Sequence, residues 1–265
     1  MTAYGKAKLI LFDLDGTLYL DGVPYPGARE LLQRLKESDM EYGFLTNNSS
    51  IPPCDYCEKL RRIGFPVEPR NVVTSGDGAL VMLKAHGLMG KRLYILGTER
   101  FRGWMASEGF PHCDDVEAAQ ALLVAFDKEV DYAKLTAVTR LVLRGVPVYA
   151  THPDVLCPPG IPDVGMFLEF FRAARPGFVV QAIAGKPHRW LCHVLQERFQ
   201  VQPGEMVMVG DRVSTDLAFA CNNGMRSLLV RNGEPMPLLG NCTPTAVVPH
   251  IRQMLDEFWP RNLGW

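Results

Sequence analysis

Leu9-Ile10-Leu11-Phe12-Asp13-Leu14-Asp15-Gly16-Thr17-Leu18 decides how the rest of the chain is read. Residues 9–12, with Leu14 just beyond, make an apolar run that reads as a strand buried on both faces. Aspartates do not belong inside such a strand, so Asp13 and Asp15 mark its C-terminal end. In an open α/β sheet, ligands bind in the crevice outside that edge. Side chains alternate along a strand, so the two carboxylates project the same way. Held side by side they repel, and a hard divalent cation such as Mg²⁺ is the simplest positive partner. Gly16 lets the backbone turn sharply, and Thr17 adds a hydroxyl to the loop.

Outward from this strand, helices and strands alternate. Residues 27–38 read as an amphipathic helix, 42–45 as a strand ending at Thr46-Asn47-Asn48, 53–63 as a helix and 72–75 as a strand. That order predicts a parallel sheet with right-handed crossovers. Strands at 92–96, 122–126 and 146–150, with helices at 79–86, 99–107, 131–144 and 166–174, repeat the pattern without an Asp-x-Asp end. A break rich in proline, with Pro153, Pro158, Pro159 and Pro162, lies inside this block. From 179 the first pattern resumes, with strands at 179–183, 206–209, 227–230 and 246–248 and helices at 188–199, 215–223 and 250–258. The expected fold is α/β, a doubly wound, Rossmann-like parallel-sheet core over residues 1–77 and 181–265. Residues 78–180 are expected to form an α/β domain inserted into it.

With 265 residues, the chain is long enough for one large domain or two modest ones. A net charge of −1 gives no electrostatic footprint for nucleic acid or for an anionic membrane, so any anionic ligand must be held by local chemistry. No signal peptide is read ahead of the first strand, and no apolar run has the length of a membrane span. Seven scattered cysteines read as reduced thiols, which points to a cytoplasmic protein. Cys54 and Cys57 have C-x-x-C spacing, but no second pair or histidine partner stands at the spacing of a structural zinc site.

Four strand ends carry reactive groups: Asp13 with Asp15, Thr46, Lys186, and Asp211 with Asp216. Brought to one crevice, these acids, one hydroxyl and one ammonium suit a phosphoryl group with Mg²⁺. Asp13 and Asp211 would offer oxygens to the metal, Thr46 would bond a phosphate oxygen, and Lys186 would offset charge. Asp13 can attack phosphorus, forming an aspartyl-phosphate. Asp15 can protonate the leaving oxygen and then deprotonate the hydrolytic water.

In order, Asp13-Leu-Asp15-Gly16-Thr17, Leu45-Thr46-Asn47-Asn48, Gly185-Lys186-Pro187 and Gly210-Asp211-Arg212 with Asp216 resemble the four motifs of the haloacid dehalogenase superfamily. An insertion between the second and third motifs resembles that superfamily's type-two cap. Thr46-Asn47-Asn48-Ser49, Thr74-Ser75-Gly76-Asp77 and Thr151-His152-Pro153-Asp154 resemble its NagD-like branch, the p-nitrophenyl-phosphatase and phosphoglycolate-phosphatase relatives. The resemblance implies Asp13 as nucleophile and metal ligand, and Asp15 as acid/base and as a metal ligand through its carbonyl. It implies Asp211 as metal ligand, Asp216 as a supporting carboxylate near Lys186 and the metal's waters, and Asn47, with Asn48 beside it, as phosphate-binding. The implied activity is Mg²⁺-dependent hydrolysis of a small phosphorylated metabolite such as a sugar phosphate, a nucleotide or a phosphoglycolate-like ester. Dimers through the cap are common in that branch, so a homodimer is the assembly it allows. The chain departs from the branch at His152, where asparagine is usual, and at Pro162-Asp163-Val164-Gly165, where a Pro-Gly-Thr-Gly-like run is usual. Both lie in the cap, where Asp163 is expected to contact substrate.

Two other readings use the same residues. A phosphomutase would pass the aspartyl-phosphate to a sugar hydroxyl instead of water. A phosphoryl-binding module would use the acidic end without turnover, but it would have no use for a second acid such as Asp15.

Overall fold

Leu9, Ile10, Leu11 and Phe12 have no solvent exposure on either face, and they form the central strand of the larger sheet. The computed structural model describes residues 7–38, 40–157, 160–236, 238 and 240–258. The start of the chain, read above for a signal peptide, and Pro158 and Pro159 of the proline-rich break lie outside the described residues. The elements begin with β1 (Leu9–Phe12), β2 (Tyr19–Leu20), β3 (Val23–Pro24), α1 (Ala28–Glu37), β4 (Glu41–Thr46), α2 (Pro53–Arg62), β5 (Val72–Thr74) and α3 (Ser75–Ala85). They continue with β6 (Leu93–Leu96), α4 (Glu99–Ser107), β7 (Ala121–Val124), α5 (Tyr132–Arg144), β8 (Val148–Ala150), β9 (Leu156–Cys157), β10 (Ile161–Pro162) and α6 (Val164–Ala174). Last come β11 (Ala182–Ile183), α7 (Trp190–Phe199), β12 (Met206–Gly210), α8 (Ala218–Asn223), β13 (Arg226–Val230), β14 (Ala246–Val248) and α9 (Gln253–Phe258).

The chain divides into two compact units. The first draws on Met1–Thr46, Cys54–Val73 and Cys192–Trp265, and the second on Asn47–Pro53 and Thr74–Leu191. The second is therefore wider than the expected insert of 78–180.

In the larger sheet the strand order is β14-β13-β12-β1-β4-β5. β1 runs parallel to β4 on one side and to β12 on the other, with Phe12 level with Phe44 and Val209. Chain order therefore reverses direction at β1 and β12, the switch point where open α/β sheets bind ligands beyond the strand ends. Asp13 follows β1 and Asp211 follows β12, so the topology alone brings them to that point. α1 buries Ala28, Leu31, Leu32 and Leu35 on one stripe, and it places Glu30 in its first turn and Arg34 and Lys36 in its last, as the helix dipole favours.

The second unit has its own sheet, β11-β8-β7-β6, parallel throughout. Alternation along β6 sends Tyr94 and Leu96 to one apolar cluster, with Phe167, Leu168 and Phe171 of α6. It sends Leu93 and Ile95 to another, with Met82 and Leu83 of α3 and Phe101 and Met105 of α4. Both faces are buried, which is why the strand reads as an unbroken apolar run.

Three expectations are corrected. The strand expected at 179–183 to resume the core is the two-residue β11, and it pairs with β8 in the second sheet. Val180 and Ile183 pack there against the α6 side of that sheet. α3 begins at Ser75, not Ala79, because Asp77 accepts a hydrogen bond from the Thr74 backbone N–H at 2.8 Å and caps the helix from within. The helix expected at 215–223 is a π-helical turn, Val213–Leu217, followed by α8. The hairpins β2–β3 and β9–β10 carry no alternating pattern long enough to be read from sequence. Among the described residues, no helix is long and apolar enough to cross a membrane.

Candidate active site

The carboxylates of the first unit are placed by backbone before any side chain acts. The Asp13 N–H donates to the Val209 carbonyl at 2.8 Å, extending the β1–β12 ladder by one rung and setting Asp13 beside Gly210 and Asp211. The π-helical turn then brings Asp216 back over the end of β12, where its Oδ2 accepts from the Arg212 N–H at 3.0 Å. Gly210 is needed for that approach, since a Cβ there would collide with the Asp216 side chain. Asp13, Asp211 and Asp216 each place a carboxylate oxygen within 4.8 Å of the others.

Thr17 lies among these acids. Its Oγ1 donates to Asp211 Oδ1 at 2.9 Å and is 3.4 Å from Asp13 Oδ2. Asn232 holds the loop from outside: its Nδ2 donates to the Gly16 and Thr17 carbonyls at 2.8 and 2.9 Å, and its Oδ1 accepts from the Ile251 N–H. Sequence reading missed Asn232. The available signal was Asn232-Gly233 directly after an apolar strand, and Asn232 does adopt the left-handed conformation that such turns use, with φ 46°.

Burial, with the neighbouring Asp216 carboxylate second, pushes Asp211 up to about 6, against the lowering effect of the Thr17 hydroxyl. Three clustered acids at this cost fit a divalent cation, and an all-oxygen donor set selects a hard ion such as Mg²⁺. The Asp15 carboxylate is not one of the three and turns instead to Tyr19, whose hydroxyl donates to its Oδ2 at 3.2 Å. Thr46, almost fully buried, closes β4 at the same sheet edge.

Gly16 has φ 92°, and a Cβ there would sit 2.5 Å from Asp211 Oδ2. Gly16→Ala is therefore expected to destabilise the protein by about 2 kcal/mol or more and to displace Asp211, lowering both the melting temperature and turnover. Thermal unfolding beside a steady-state assay checks this, and a variant equal to the wild type in both would refute it.

In the second unit, Asn47 brackets the backbone of Lys186. Its Oδ1 accepts from the Lys186 N–H at 2.7 Å, and its Nδ2 donates to the Lys186 carbonyl at 3.0 Å and to Asp154 Oδ2 at 3.0 Å. Both N–H groups of the carboxamide are thus taken, so the side chain of Asn47 fixes the backbone of Lys186. Lys186 itself is 2% exposed. Asn48 folds its Oδ1 onto the Ser50 N–H at 2.9 Å and hydroxyl at 2.8 Å, an Asx turn that shapes the loop.

Asp163 is 4% exposed, caps α6 through the Val164 N–H at 2.7 Å and sits 2.9 Å from His152 Nε2. The fully buried His152 reaches Thr151 Oγ1 through Nδ1 at 2.9 Å, and Thr151 reaches Ser49 Oγ at 2.9 Å. Asp163, expected from the sequence to contact substrate, is thus bonded inside the second unit. A carboxylate sealed in this chain of hydrogen bonds ties α6 to the 47–53 segment.

Comparison with known proteins bears on family and fold. The family model described as haloacid dehalogenase-like hydrolase matches residues 10–111, and a HAD-hydrolase-like model matches residues 183–254. Glycerol-3-phosphate phosphatase of Gallus gallus is 32% identical over 249 residues, 84% of this chain and 79% of that protein. The crystal structure of 4-nitrophenylphosphatase from Thermotoga maritima superposes with a TM-score of 0.86 at 34% identity, covering 96% of this chain and 98% of that one. A glycerol phosphate phosphatase from Mycobacterium tuberculosis, solved in complex with magnesium, has a TM-score of 0.82 at 25% identity, covering 95% and 78% of the two chains. This chain belongs to the haloacid dehalogenase-like hydrolases, within them to the phosphatases related to NagD and p-nitrophenyl phosphatase.

Proposed function

We propose that the chain hydrolyses small phosphomonoesters through an aspartyl-phosphate on Asp13, with Mg²⁺ held by Asp13, Asp211 and Asp216 and by the Asp15 carbonyl. The observation that carries this reading is the convergence of three carboxylates within 4.8 Å at the switch point, with a fourth, Asp15, two residues beyond the first. Bound there, the metal would supply the positive charge that lets an anionic phosphoryl group approach an anionic nucleophile.

The residues do the rest. Asp13 attacks phosphorus in line as the leaving oxygen departs, and Asp15 gives that oxygen a proton. Asp15, now a base, takes a proton from the water that cleaves the aspartyl-phosphate, so each cycle restores both carboxyl groups. Thr46 donates a hydrogen bond to a phosphoryl oxygen, and the Lys186 ammonium offsets the charge of the transferring group. The names of the relatives favour glycerol phosphate and similar small phosphates as substrates.

The test is phosphate release with Mg²⁺ from p-nitrophenyl phosphate, glycerol 3-phosphate and a set of sugar phosphates, with acid-quench labelling of Asp13. Turnover with label on Asp13 is expected. A folded protein that releases phosphate from none of them would overturn the reading.

A further inference from the structure

Asp15 has one protein partner for its carboxylate among the described residues, the Tyr19 hydroxyl on Oδ2 at 3.2 Å. Behind Tyr19 stands Lys59, whose Nζ donates to the same hydroxyl at 3.0 Å. Lys59 lies in the last turn of α2, and its Nζ sits 4.9 Å from the centroid of the Tyr19 ring and 5.3 Å from that of Tyr56. Cation–π attraction from two rings therefore holds the ammonium in place as well as the hydrogen bond does. Tyr19 is itself fully buried, with its ring beside Phe65. Its backbone is pinned to the same loop, with its carbonyl accepting from the Gly16 N–H at 2.8 Å.

The direction of this relay follows from its donors. An ammonium has three protons and no acceptor, so Lys59 must donate and the Tyr19 oxygen must accept. The single phenol proton is then committed to Asp15. The Tyr19 hydroxyl thus accepts from Lys59 at 3.0 Å and donates to Asp15 at 3.2 Å. With Oδ2 already accepting a hydrogen bond, the proton that Asp15 exchanges with the reaction belongs on Oδ1.

Resting on the phosphatase reading above, we infer that Tyr19 and Lys59 are positioning residues for acid catalysis. Together they orient the Asp15 carboxyl so that Oδ1 carries the proton delivered to the leaving oxygen. Their effect should depend on the leaving group. An alkoxide must be protonated as it departs, whereas nitrophenolate leaves as a stable anion. General acid catalysis is worth about 10²–10⁴-fold where it is needed, and misorientation forfeits part of that.

The experiment measures kcat/KM, which reports the phosphoryl-transfer step, for glycerol 3-phosphate and p-nitrophenyl phosphate. It compares wild type, Tyr19→Phe, Lys59→Met, Lys59→Arg and, as the limit, Asp15→Asn, with melting temperatures alongside. Tyr19→Phe is expected to lose roughly 30-fold on the alkyl ester and less than about fivefold on the aryl ester. Lys59→Met should show the same selectivity to a smaller degree, and Lys59→Arg should restore most of the alkyl activity. Equal losses on both esters, or no loss on either, would overturn the inference even if Tyr19→Phe is less stable, because mere loosening of the fold does not discriminate leaving groups. A wild type that hydrolyses p-nitrophenyl phosphate but no alkyl ester overturns the inference alone. One that hydrolyses nothing overturns the phosphatase reading as well.

Discussion

Asp13→Asn is expected to lower kcat by about 10⁴-fold or more while the protein stays folded. Loss of a covalent nucleophile costs several orders of magnitude in enzymes of this kind, and a carboxamide cannot form the acyl-phosphate. The fold has little reason to fail. Asparagine matches aspartate in shape, and the β1–β12 contact at this position is made by the Asp13 backbone N–H. Removing one of three acids within 4.8 Å also relieves repulsion, so the metal-free variant should melt no lower than the wild type. The measurements are steady-state turnover with Mg²⁺, acid-quench labelling and thermal unfolding. Activity within tenfold of wild type would show that Asp13 is not the nucleophile. A sharp drop in melting temperature would show that its charge is structural.

The part of the site legible in the sequence is the part built from strand ends. Asp13 and Asp15 interrupt an apolar run, Thr46 ends another, and Asp211 follows a third. Because β1, β4 and β12 are neighbours in one parallel sheet, reading each strand's end was enough to bring these residues to one edge. What stayed hidden depends on side chains whose partners are remote in sequence. Asn232 reaches back more than two hundred residues to the Gly16 and Thr17 carbonyls. Asn47 follows a strand end, and nothing near it in sequence tells that its side chain bonds the Lys186 backbone 139 positions away. Nothing beside Asp163 in sequence marks its bond to the fully buried His152. β11 joins the second sheet, and a short strand with half-buried residues carries no mark in sequence of which sheet it joins. Periodicity reports how a segment is buried, and only pairing reports against what.

Mg²⁺ should stabilise the protein strongly at pH 7.5 and much less at pH 5, and chelation should abolish turnover. In the metal-free protein Asp211 is pushed from 3.8 up to about 6, mainly by burial and then by Asp216. The folded state thus holds a proton more tightly than the unfolded chain does between these values. Stability of the metal-free protein is accordingly greatest at the acid end of that window and falls as pH rises from about 4 to 6. Above 6 the full penalty is present, on the order of 3 kcal/mol for a shift of about two units. A divalent cation binds the ionised carboxylates and removes that penalty, but below pH 6 it competes with the proton for Asp211. At a concentration of about 100 Kd the ion contributes roughly 2.7 kcal/mol. In a chain of this size that corresponds to a rise in melting temperature of about 5–10 °C at pH 7.5. At pH 5 the rise should be less than about half as large. Asp211→Asn separates the two effects: without metal it should melt higher than the wild type at pH 7.5, because a buried charge is gone, and Mg²⁺ should then add little. A Mg²⁺-induced rise that is equal at the two pH values, or that survives in Asp211→Asn, would place the ion elsewhere than among Asp13, Asp211 and Asp216.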